Sequence, residues 1–464
     1  SKCAICLLTF INHNLLYQLP TGGGKTVIFS EIARRYIENT KKKVLILTHR
    51  IELCAQTSTM LDGFDVKNKI INSQIKELPY QNEYMCFVAM VETLNNRLQD
   101  EKINLNDIGL VIVDEAHYNS FRKLFHHFDD CIMLGVTATP LSSNVKLPMY
   151  QKYDELIVGE SISYLVKNGF LSTPTTYSYD VGLTSLKIGA NGDYTVRSSY
   201  LLYGDYPMLQ KLLYAYEEKS LGKKTLIFNN GINTSLNVYD TFTKAGYEIK
   251  HLDNKNTAAE RKEMLEWFKN KPDAILTSVG ILTTGFDEPT VDTIILNRAT
   301  KSLTLYFQMI GRGSRILPSK KEFTIVDLGN NLARFGPWIT PIDWHEIFRS
   351  PDFYLNNLLT DIEIEKHFKY VMPDEVRIKF KKTEDVSFDV KEEYKLVMRK
   401  GLRPKVVLER SLNQHLKMCI ENSIDNLEFR ELVNLLSDDI AYRIRLFSYC
   451  ICKSTDNYLK WLRE

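Results

Sequence analysis

A glycine-rich segment, LPTGGGKT, follows a short apolar run and occupies residues 19–26. Glycine lets backbone N–H groups approach phosphate oxygens, and a helix that begins after the loop turns its positive end toward them. The segment is therefore predicted to be a P-loop, in which Lys25 reaches the outer phosphates of a nucleotide and the Thr26 hydroxyl binds Mg²⁺. The predicted phosphate-binding residues are Pro20, Thr21, Gly22, Gly23, Gly24, Lys25 and Thr26. Leu19 departs from the general pattern, and a glycine-rich turn before a helix is the alternative interpretation.

The apolar run LVIV ends in two carboxylates, Asp114 and Glu115, within the sequence DEAH. Beside a P-loop, one carboxylate of such a pair holds Mg²⁺ and the other orients and deprotonates the attacking water. We assign these roles to Asp114 and Glu115, respectively, and a solvated pair of acids is the alternative. The next apolar run ends in Thr137 and Thr139, whose hydroxyl groups could link the hydrolytic site to neighbouring loops.

A late segment, QMIGRGSR, places Arg312 and Arg315 three residues apart at the end of a predicted helix over residues 303–315. This spacing puts both arginines on one helix face. A guanidinium fork suits two phosphate oxygens at once, and an arginine supplied from a facing domain can speed phosphoryl transfer by roughly 10³–10⁵-fold. Gly311 and Gly313 predict that this segment closely approaches another group. Arginines that cap their own helix are the alternative.

These candidates need a scaffold that gathers strand ends, and the chain shows two series of apolar strands alternating with amphipathic helices. The first series contains KVLILTH, CFVAM, LVIVDEAH and CIMLGVTATP with the helices IELCAQTSTMLDGF and SFRKLFHHF, and the second contains KTLIFNN, YEIKHLD, DAILTS, DTIILNR and FTIVDLG. Such alternation predicts parallel sheets covered by helices, with ligands at the carboxyl ends of the strands. We predict α/β domains over 1–160 and 205–340, a polar interdomain connection over 161–204, and a small, mainly helical region over 341–464.

The composition is compatible with this organisation. The chain has 464 residues, 44% of them hydrophobic, and a net charge of only +2, so a nucleic-acid partner would need a local basic surface. Eight cysteines and no apolar run long enough for a membrane span favour a reducing cytoplasm. Cys3 and Cys6 have metal-ligand spacing, but no suitable second pair follows, so ordinary packing is favoured over zinc.

The ordered motifs resemble those of the superfamily II helicases with a DEAH box, of the restriction-enzyme Res-subunit type. The resemblance is carried by QLPTGGGKT, LTHRIELCAQT, VAMVETLNNR, DEAH, TATP, TLIFNNG, TSVGILTTGFDEP and QMIGRGSR, which together cover residues 15–315. The segments YDELIVGESISYLVKNGFLS and VDLGNNLARFG are most similar to the DNA-directed branch, which includes RadD-like and UvsW-like helicases. The resemblance implies two tandem RecA-like domains, with ATP and Mg²⁺ in the cleft between them and nucleic acid crossing both.

The family's functional residues are carried over only where the sequence matches. The resemblance assigns His117 to coupling within the acidic motif, Thr137 and Thr139 to the third motif, and Gln308, Arg312 and Arg315 to the sixth. Gly285 and Asp287 match the fifth motif, where the aspartate meets the ribose or the interdomain cleft. The implied nucleic-acid contacts are His49, Arg50, Thr93, Asn229 and Thr277. A solvated side chain or a helix cap is the alternative for each of these five.

The resemblance implies an ATP-dependent DNA helicase or translocase that acts on single-stranded, forked or duplex DNA in repair, recombination or replication. The expected location is the cytoplasm of a bacterial or phage-infected cell, in association with the nucleoid. The alternative is a motor subunit of a larger defence or replication complex without unwinding of its own, or an RNA helicase. The region over 341–464 contains aromatic residues beside charges, and it is expected to dock a protein partner or to stack bases.

Overall fold

The computed structural model describes residues 13–75, 83–100, 105, 107–179, 181–283, 286–368, 372–383 and 386–451. Cys3 and Cys6 lie outside these residues. Within them, no helix is both long and apolar enough to cross a membrane.

The first domain is built on a seven-stranded sheet in which every recorded strand pair is parallel. Its strands are β1 (Leu15–Gln18), β2 (Lys43–Thr48), β3 (Asn68–Ile71), β4 (Cys86–Met90), β5 (Ile108–Asp114), β6 (Ile132–Thr137) and β7 (Glu155–Val158), in the order β3-β4-β2-β5-β6-β1-β7. The connecting helices are α1 (Lys25–Thr40), α2 (Ile51–Asp62) and α3 (Val91–Gln99), with 3₁₀ turns at Asn119–His127 and Met149–Gln151. Apolar side chains bury the central strands on both faces, as parallel sheets require.

The second domain is built on a six-stranded parallel sheet in the order β10-β11-β9-β12-β13-β8. Its strands are β8 (Thr173–Ser178), β9 (Thr225–Asn229), β10 (Ile249–Leu252), β11 (Ile275–Ser278), β12 (Thr293–Asn297) and β13 (Glu322–Asp327). The helices on this part of the chain are α4 (Ile162–Lys167), α5 (Val196–Tyr203), α6 (Tyr206–Lys219), α7 (Ile232–Lys244), α8 (Ala258–Asn270) and α9 (Leu303–Ile310).

The C-terminal part is helical, as predicted. Its helices are α10 (Asn331–Phe335), α11 (Trp344–Arg349), α12 (Pro351–Asn356), α13 (Asp361–Phe368), α14 (Asp374–Arg377), α15 (Val390–Arg399), α16 (Val406–Asn422), α17 (Asn426–Leu435) and α18 (Ser437–Ile451), with a 3₁₀ turn at Ile378–Phe380. Helix α18 packs against β8 and so covers the edge strand of the second sheet, while α11 returns to the first domain and packs against β7. The predicted α/β class, with two tandem parallel sheets and a helical C-terminal region, is confirmed.

Three local predictions differ from the structure. The segment SFRKLFHHF over 120–128 is predicted as a helix of the first series, but the structure has 3₁₀ turns at Asn119–His127 instead. Strand β8 lies within the predicted connection 161–204, yet it pairs along its whole length with β13. Helix α9 ends at Ile310 with Gly311 as its cap residue, so both arginines of QMIGRGSR lie in the turn beyond the helix.

Candidate active site

The P-loop connects β1 to α1 at the carboxyl edge of the first sheet. The Gln18 amide donates to the carbonyl of Ala138 at 3.0 Å, which ties the start of the loop to the neighbouring β6 strand end. Gly22 and Gly24 have φ angles of +88° and +87°, which only glycine adopts without strain. Gly24 caps α1 without a side-chain hydrogen bond, so the first-turn N–H groups of α1 face the loop as an anion site.

Lys25 and the two carboxylates of the acidic motif meet beside this loop. The Lys25 Nζ lies 3.8 Å from the Glu115 Oε1, and both side chains are largely buried. The backbone N–H of Glu115 donates to the Asp114 Oδ1 at 2.9 Å. Glu115 has a φ angle of +52°, a left-handed conformation that costs a residue with a side chain about 1–3 kcal/mol and is found mainly at functional sites.

Burial and mutual repulsion separate the protonation behaviour of the two carboxylates. Burial and the neighbouring Glu115 charge raise the pKa of Asp114 to about 7. Burial also acts to raise the pKa of Glu115, but the charge of the neighbouring Lys25 more than offsets it, so this pKa is lowered. Burial lowers the pKa of His117 to about 4. At neutral pH the Glu115 carboxylate is therefore ionised and the neighbouring His117 ring is neutral.

The oxygen atoms beside the P-loop could also bind Mg²⁺. The Glu115 Oε2 is buried without a hydrogen bond, and Asp114 is a buried carboxylate whose ionised form needs a neighbouring positive charge. Thr26 is the second residue of α1 and lies in the first helical turn behind the loop. Hydroxyl and carboxylate oxygens are the ligands that Mg²⁺ prefers, so Thr26 and Asp114 would hold it.

His117 connects this centre to the second domain. Its Nδ1 lies 3.0 Å from the Thr137 Oγ1, which itself donates to the Thr139 carbonyl at 2.9 Å. The hydroxyl of Thr137 must then accept from His117 Nδ1–H, which leaves the Nε2 lone pair for the Gln308 amide at 3.4 Å. A second hydrogen bond crosses the boundary between the two domains, which we call the seam, because the Thr139 Oγ1 donates to the Thr304 Oγ1 at 2.8 Å.

The two arginines approach the P-loop from the second domain. A Cβ atom placed on Gly22 would lie 2.7 Å from the Arg315 Nη1, so this guanidinium rests against the P-loop backbone. The Arg315 Nε donates to the Asp287 Oδ1 at 2.8 Å. Arg312 is buried and donates to the Phe286 carbonyl. Burial and the Arg315 charge lower the pKa of Arg312 to about 10, while the Glu115 charge opposes this shift.

A lysine that the sequence did not single out holds the arginine loop. The Lys320 Nζ donates to the carbonyls of Gly313 at 2.7 Å, Arg315 at 2.9 Å and Pro289 at 3.0 Å. Its side chain is buried, and burial lowers its pKa to about 8. A lone lysine in a turn carries no motif, so only the folded chain reveals that it organises this loop.

A second opening of the same seam forms a cleft of about 940 Å³. Its walls come from both domains: His49, Arg50, Ile51, Glu52, Ser73 and Met90 from the first, and Asn230, Asn233, Asn254, Lys255, Arg261 and Gly280 among others from the second. The Arg50 Nη1 donates to the Ile281 carbonyl at 2.8 Å, so this arginine bridges the two walls. Two of the predicted nucleic-acid contacts, His49 and Arg50, thus line the cleft.

Two other predicted contacts require correction. Asn229 and Thr277 are fully buried, and the Asn229 amide donates to the Thr277 Oγ1 at 2.8 Å. Because their polar atoms form hydrogen bonds within the second domain, these side chains support the loops behind the cleft and do not face the space in which nucleic acid would lie. Thr93 lies half-buried in the first turns of α3, near the cleft residue Met90. Gly285 lies outside the described residues.

Two basic residues of the cleft were not predicted. Lys255 follows β10, and Arg261 lies in the first turn of α8, where its Nε donates to the Asn256 carbonyl at 3.1 Å. Both belong to the segment DNKNTAAERKE, whose mixed charges are those of an ordinary helix start. Its strand-end position after β10 was the available signal, because parallel strands present ligand contacts there.

A P-loop on one parallel sheet is approached by two arginines from a second parallel sheet, and this combination is typical of one class of proteins. This architecture is that of the two-domain P-loop ATPases of the helicase kind, and here the P-loop and an open basic cleft lie on the same interdomain seam.

Comparison with known proteins identifies the family. Residues 7–142 match the family "Type III restriction enzyme, res subunit", and residues 205–317 match "Helicase conserved C-terminal domain". A putative ATP-dependent helicase, IRC3 of Saccharomyces cerevisiae, is 31% identical over 67% of this chain and 47% of its own length. The ATP-dependent DNA helicase uvsW of Enterobacteria phage T4 is 21% identical over 68% of this chain and 65% of its own length. This chain therefore matches less than two thirds of either relative.

A solved structure agrees on the fold. The fragment of a putative HsdR subunit of a type I restriction enzyme from Vibrio vulnificus YJ016 has a TM-score of 0.54, with 20% identity over 76% of this chain and 64% of its own. At this identity the likeness concerns the fold alone. The chain belongs to the superfamily II helicases of the Res type, and its family resemblance is thereby confirmed.

Proposed function

We propose that this protein is an ATP-driven DNA translocase or helicase that acts on branched, forked or damaged DNA. One observation carries the proposal: the P-loop and the basic cleft both open on the seam between the two sheets, and each takes residues from both domains. A change in the seam therefore alters both sites at once. A DNA substrate would place its work at the nucleoid of a bacterial or phage-infected cell.

ATP hydrolysis would use residues on both sides of the seam. Lys25 and the P-loop N–H groups would bind the phosphates, and Glu115, ionised at neutral pH, would take the proton of the attacking water. Arg312 and Arg315 would neutralise the charge that spreads over the transferred group. Mg²⁺ held by Thr26 and Asp114 would supply further neutralisation of the phosphates. Arg315 would exchange its bond with Asp287 for one with phosphate.

Nucleic acid would lie in the cleft, held largely through its phosphates. Arg50, Lys255 and Arg261 supply positive charge, while amide side chains such as Asn233 supply neutral donors. Each phosphate contact releases counterions, so three such contacts should give a slope of log affinity against log salt of about −2 to −3. Binding should depend little on base sequence for the same reason.

The test compares ATPase rates with single-stranded, duplex and forked DNA and with RNA, followed by strand displacement on the forked substrate. We expect DNA to stimulate turnover, and we expect Arg261→Ala to raise the DNA concentration that gives half-maximal stimulation roughly ten-fold, as loss of one such contact would. Lys262→Ala is the matched control, because Lys262 lies next to Arg261 on α8 but is 78% exposed and outside the cleft. Stimulation by RNA alone would contradict the DNA assignment.

A second candidate is a motor subunit of a larger complex that does not unwind DNA by itself. Helix α16 favours it, because Leu412, Leu416 and Ile420 recur on one face and are 39–66% exposed. The HsdR fragment, which belongs to a multisubunit enzyme by its name, has the same two-domain fold. Strand displacement by the isolated chain would exclude this candidate, whereas DNA-stimulated ATPase without displacement would support it.

A further inference from the structure

Three aromatic rings form a continuous stack between the cleft and the catalytic carboxylate. The rings of His49 and Tyr118 have centroids 4.4 Å apart and are tilted by 38°, and those of Tyr118 and His117 are 4.3 Å apart and tilted by 40°. His49 lies in the cleft wall, and the Nδ1 of His117 is 3.4 Å from the Glu115 Oε2. Tyr118 thus joins a residue of the cleft to a residue of the hydrolytic centre.

His49 contacts this stack through its ring and not through hydrogen bonds. Both of its ring nitrogens are buried without a hydrogen-bond partner. Burial lowers the pKa of His49 to about 4, so the ring is neutral at pH 7. The next residue, Arg50, bridges the cleft to the Ile281 carbonyl of the second domain. A strand that enters the cleft and displaces Arg50 from this carbonyl would therefore move the loop that carries His49.

At the other end, Tyr118 belongs to the turn that holds Glu115. Its backbone N–H donates to the Glu115 carbonyl at 3.1 Å, and this turn keeps Glu115 in its left-handed conformation. Gln308 of the second domain lies close enough to Tyr118 to influence the pKa of its hydroxyl, and the Gln308 amide nitrogen lies 3.4 Å from the His117 Nε2. A shift of the Tyr118 ring would thus be felt by the turn, by His117 and by Gln308 together.

We propose that Tyr118 is a positioning residue that transmits the occupancy of the cleft to Glu115 through the ring stack. The proposal rests on the proposed function, because it requires that nucleic acid binds in the cleft. Nucleic acid favours one arrangement of the His49 loop by its differential affinity, and the stack carries that preference to the turn at Glu115. Tyr118 affects the rate of ATP hydrolysis and not the affinity of the cleft for nucleic acid.

The test measures ATP turnover without DNA, turnover at saturating DNA, and the DNA concentration that gives half-maximal stimulation. We expect Tyr118→Leu to lower the DNA-stimulated kcat roughly ten-fold, with the half-maximal DNA concentration unchanged within about two-fold. Tyr118→Phe keeps the ring and should keep most of the stimulation. Tyr150→Leu is the control, because Tyr150 is an exposed tyrosine of the same domain.

The outcomes separate this inference from the proposed function. If no nucleic acid stimulates the wild type, the proposed function fails and the inference fails with it. If the wild type is stimulated and Tyr118→Leu is stimulated equally, only the inference fails. A raised half-maximal DNA concentration at unchanged kcat would make Tyr118 a binding residue, and an equal loss with and without DNA would make it a local support of Glu115; either result overturns the proposal.

A second variant keeps the test decisive if Tyr118→Leu does not fold. His49→Phe retains the ring but removes both nitrogens. Transmission through the ring stack needs the ring and not its nitrogens. We therefore expect His49→Phe to keep at least half of the factor by which DNA stimulates ATP turnover in the wild type. Loss of stimulation together with a raised half-maximal DNA concentration would show that the nitrogens bind nucleic acid directly, and this would refute transmission through the ring stack.

Discussion

Replacing Gly311 by alanine should separate the arginine loop from the P-loop. A Cβ atom at this position would lie 2.8 Å from both the Cβ and the Cγ2 of Thr21 in the opposite domain. Gly311 has φ −57° and ψ −16°, so alanine fits its backbone without strain and the clash with Thr21 is the main perturbation. Carbon atoms prefer separations of about 3.5–4.0 Å, so the two loops must part by roughly 1 Å.

The expected cost follows from this displacement. Overpacking of this kind costs about 1–3 kcal/mol, and a 1 Å misplacement of catalytic groups can lower a rate roughly 10²-fold. We therefore expect Gly311→Ala to lower the DNA-stimulated kcat about 10²-fold. ATP binding should be largely retained, because Lys25 and the P-loop lie in the first domain. The assay is steady-state ATPase at saturating DNA, with a fluorescent ATP analogue to measure binding.

Gly63→Ala is the matched control for this variant. Gly63 also ends a helix, with φ −65° and ψ −16°, and its added Cβ would approach only the carbonyl oxygens of the preceding helical turn, at 3.3 Å or more. This variant should keep the wild-type rate. Wild-type turnover by Gly311→Ala, in a protein that melts at the wild-type temperature, would refute the view that the P-loop and the arginine loop touch during hydrolysis.

Four further predictions concern the P-loop, the acidic motif and the arginine loop. Lys25→Ala should abolish turnover, whereas Glu115→Gln should bind ATP and stall before hydrolysis, as filter binding and single-turnover assays would show; hydrolysis at the wild-type rate by Glu115→Gln would exclude it as the base. Arg315→Ala should retain nucleotide but lose roughly 10³-fold or more in rate, and normal turnover would remove the second domain from catalysis. Folding lowers the pKa of Lys320 from 10.5 to about 8, so the unfolded chain binds more protons than the folded chain between these pH values. The free energy of unfolding of the wild type, relative to that of Lys320→Met, should therefore rise with pH in this range by up to about 1.4 kcal/mol per pH unit. A pH-independent difference between the two proteins in denaturant unfolding would contradict this.

The parts of the fold that could be predicted from the sequence are those whose burial requires a recognisable run of apolar residues. Strands β2, β5, β9 and β12 are covered on both faces and read as continuous apolar runs. Strand β8, TPTTYS, was missed because an edge strand that is only half-buried needs no such run, and its proline at the second position is tolerated only at an edge.

The candidate site divides in the same way. The chemistry of phosphate binding fixes residue type and spacing for Lys25, Asp114 and Arg315, so these can be proposed from sequence. Lys320 and Tyr118 act through carbonyls and ring contacts that only the tertiary structure assembles. No local pattern distinguishes such residues from ordinary lysines and tyrosines, and this is why the sequence did not reveal them.

Helix α9 lies between two different contacts of the seam, an aromatic ring contact and the arginine loop that follows the helix. Near its middle, Phe307 packs edge-on against Trp344 of α11 at a ring distance of 5.9 Å, and α11 itself packs on β7 of the first domain. This apolar contact does not involve nucleotide, so its free energy is the same with and without ATP. Beyond the end of α9, Arg312 and Arg315 lie where phosphate charge appears. Because a ligand shifts an equilibrium only through contacts that differ between states, ATP would act on the seam through these two arginines, and the Phe307–Trp344 contact would serve as the pivot.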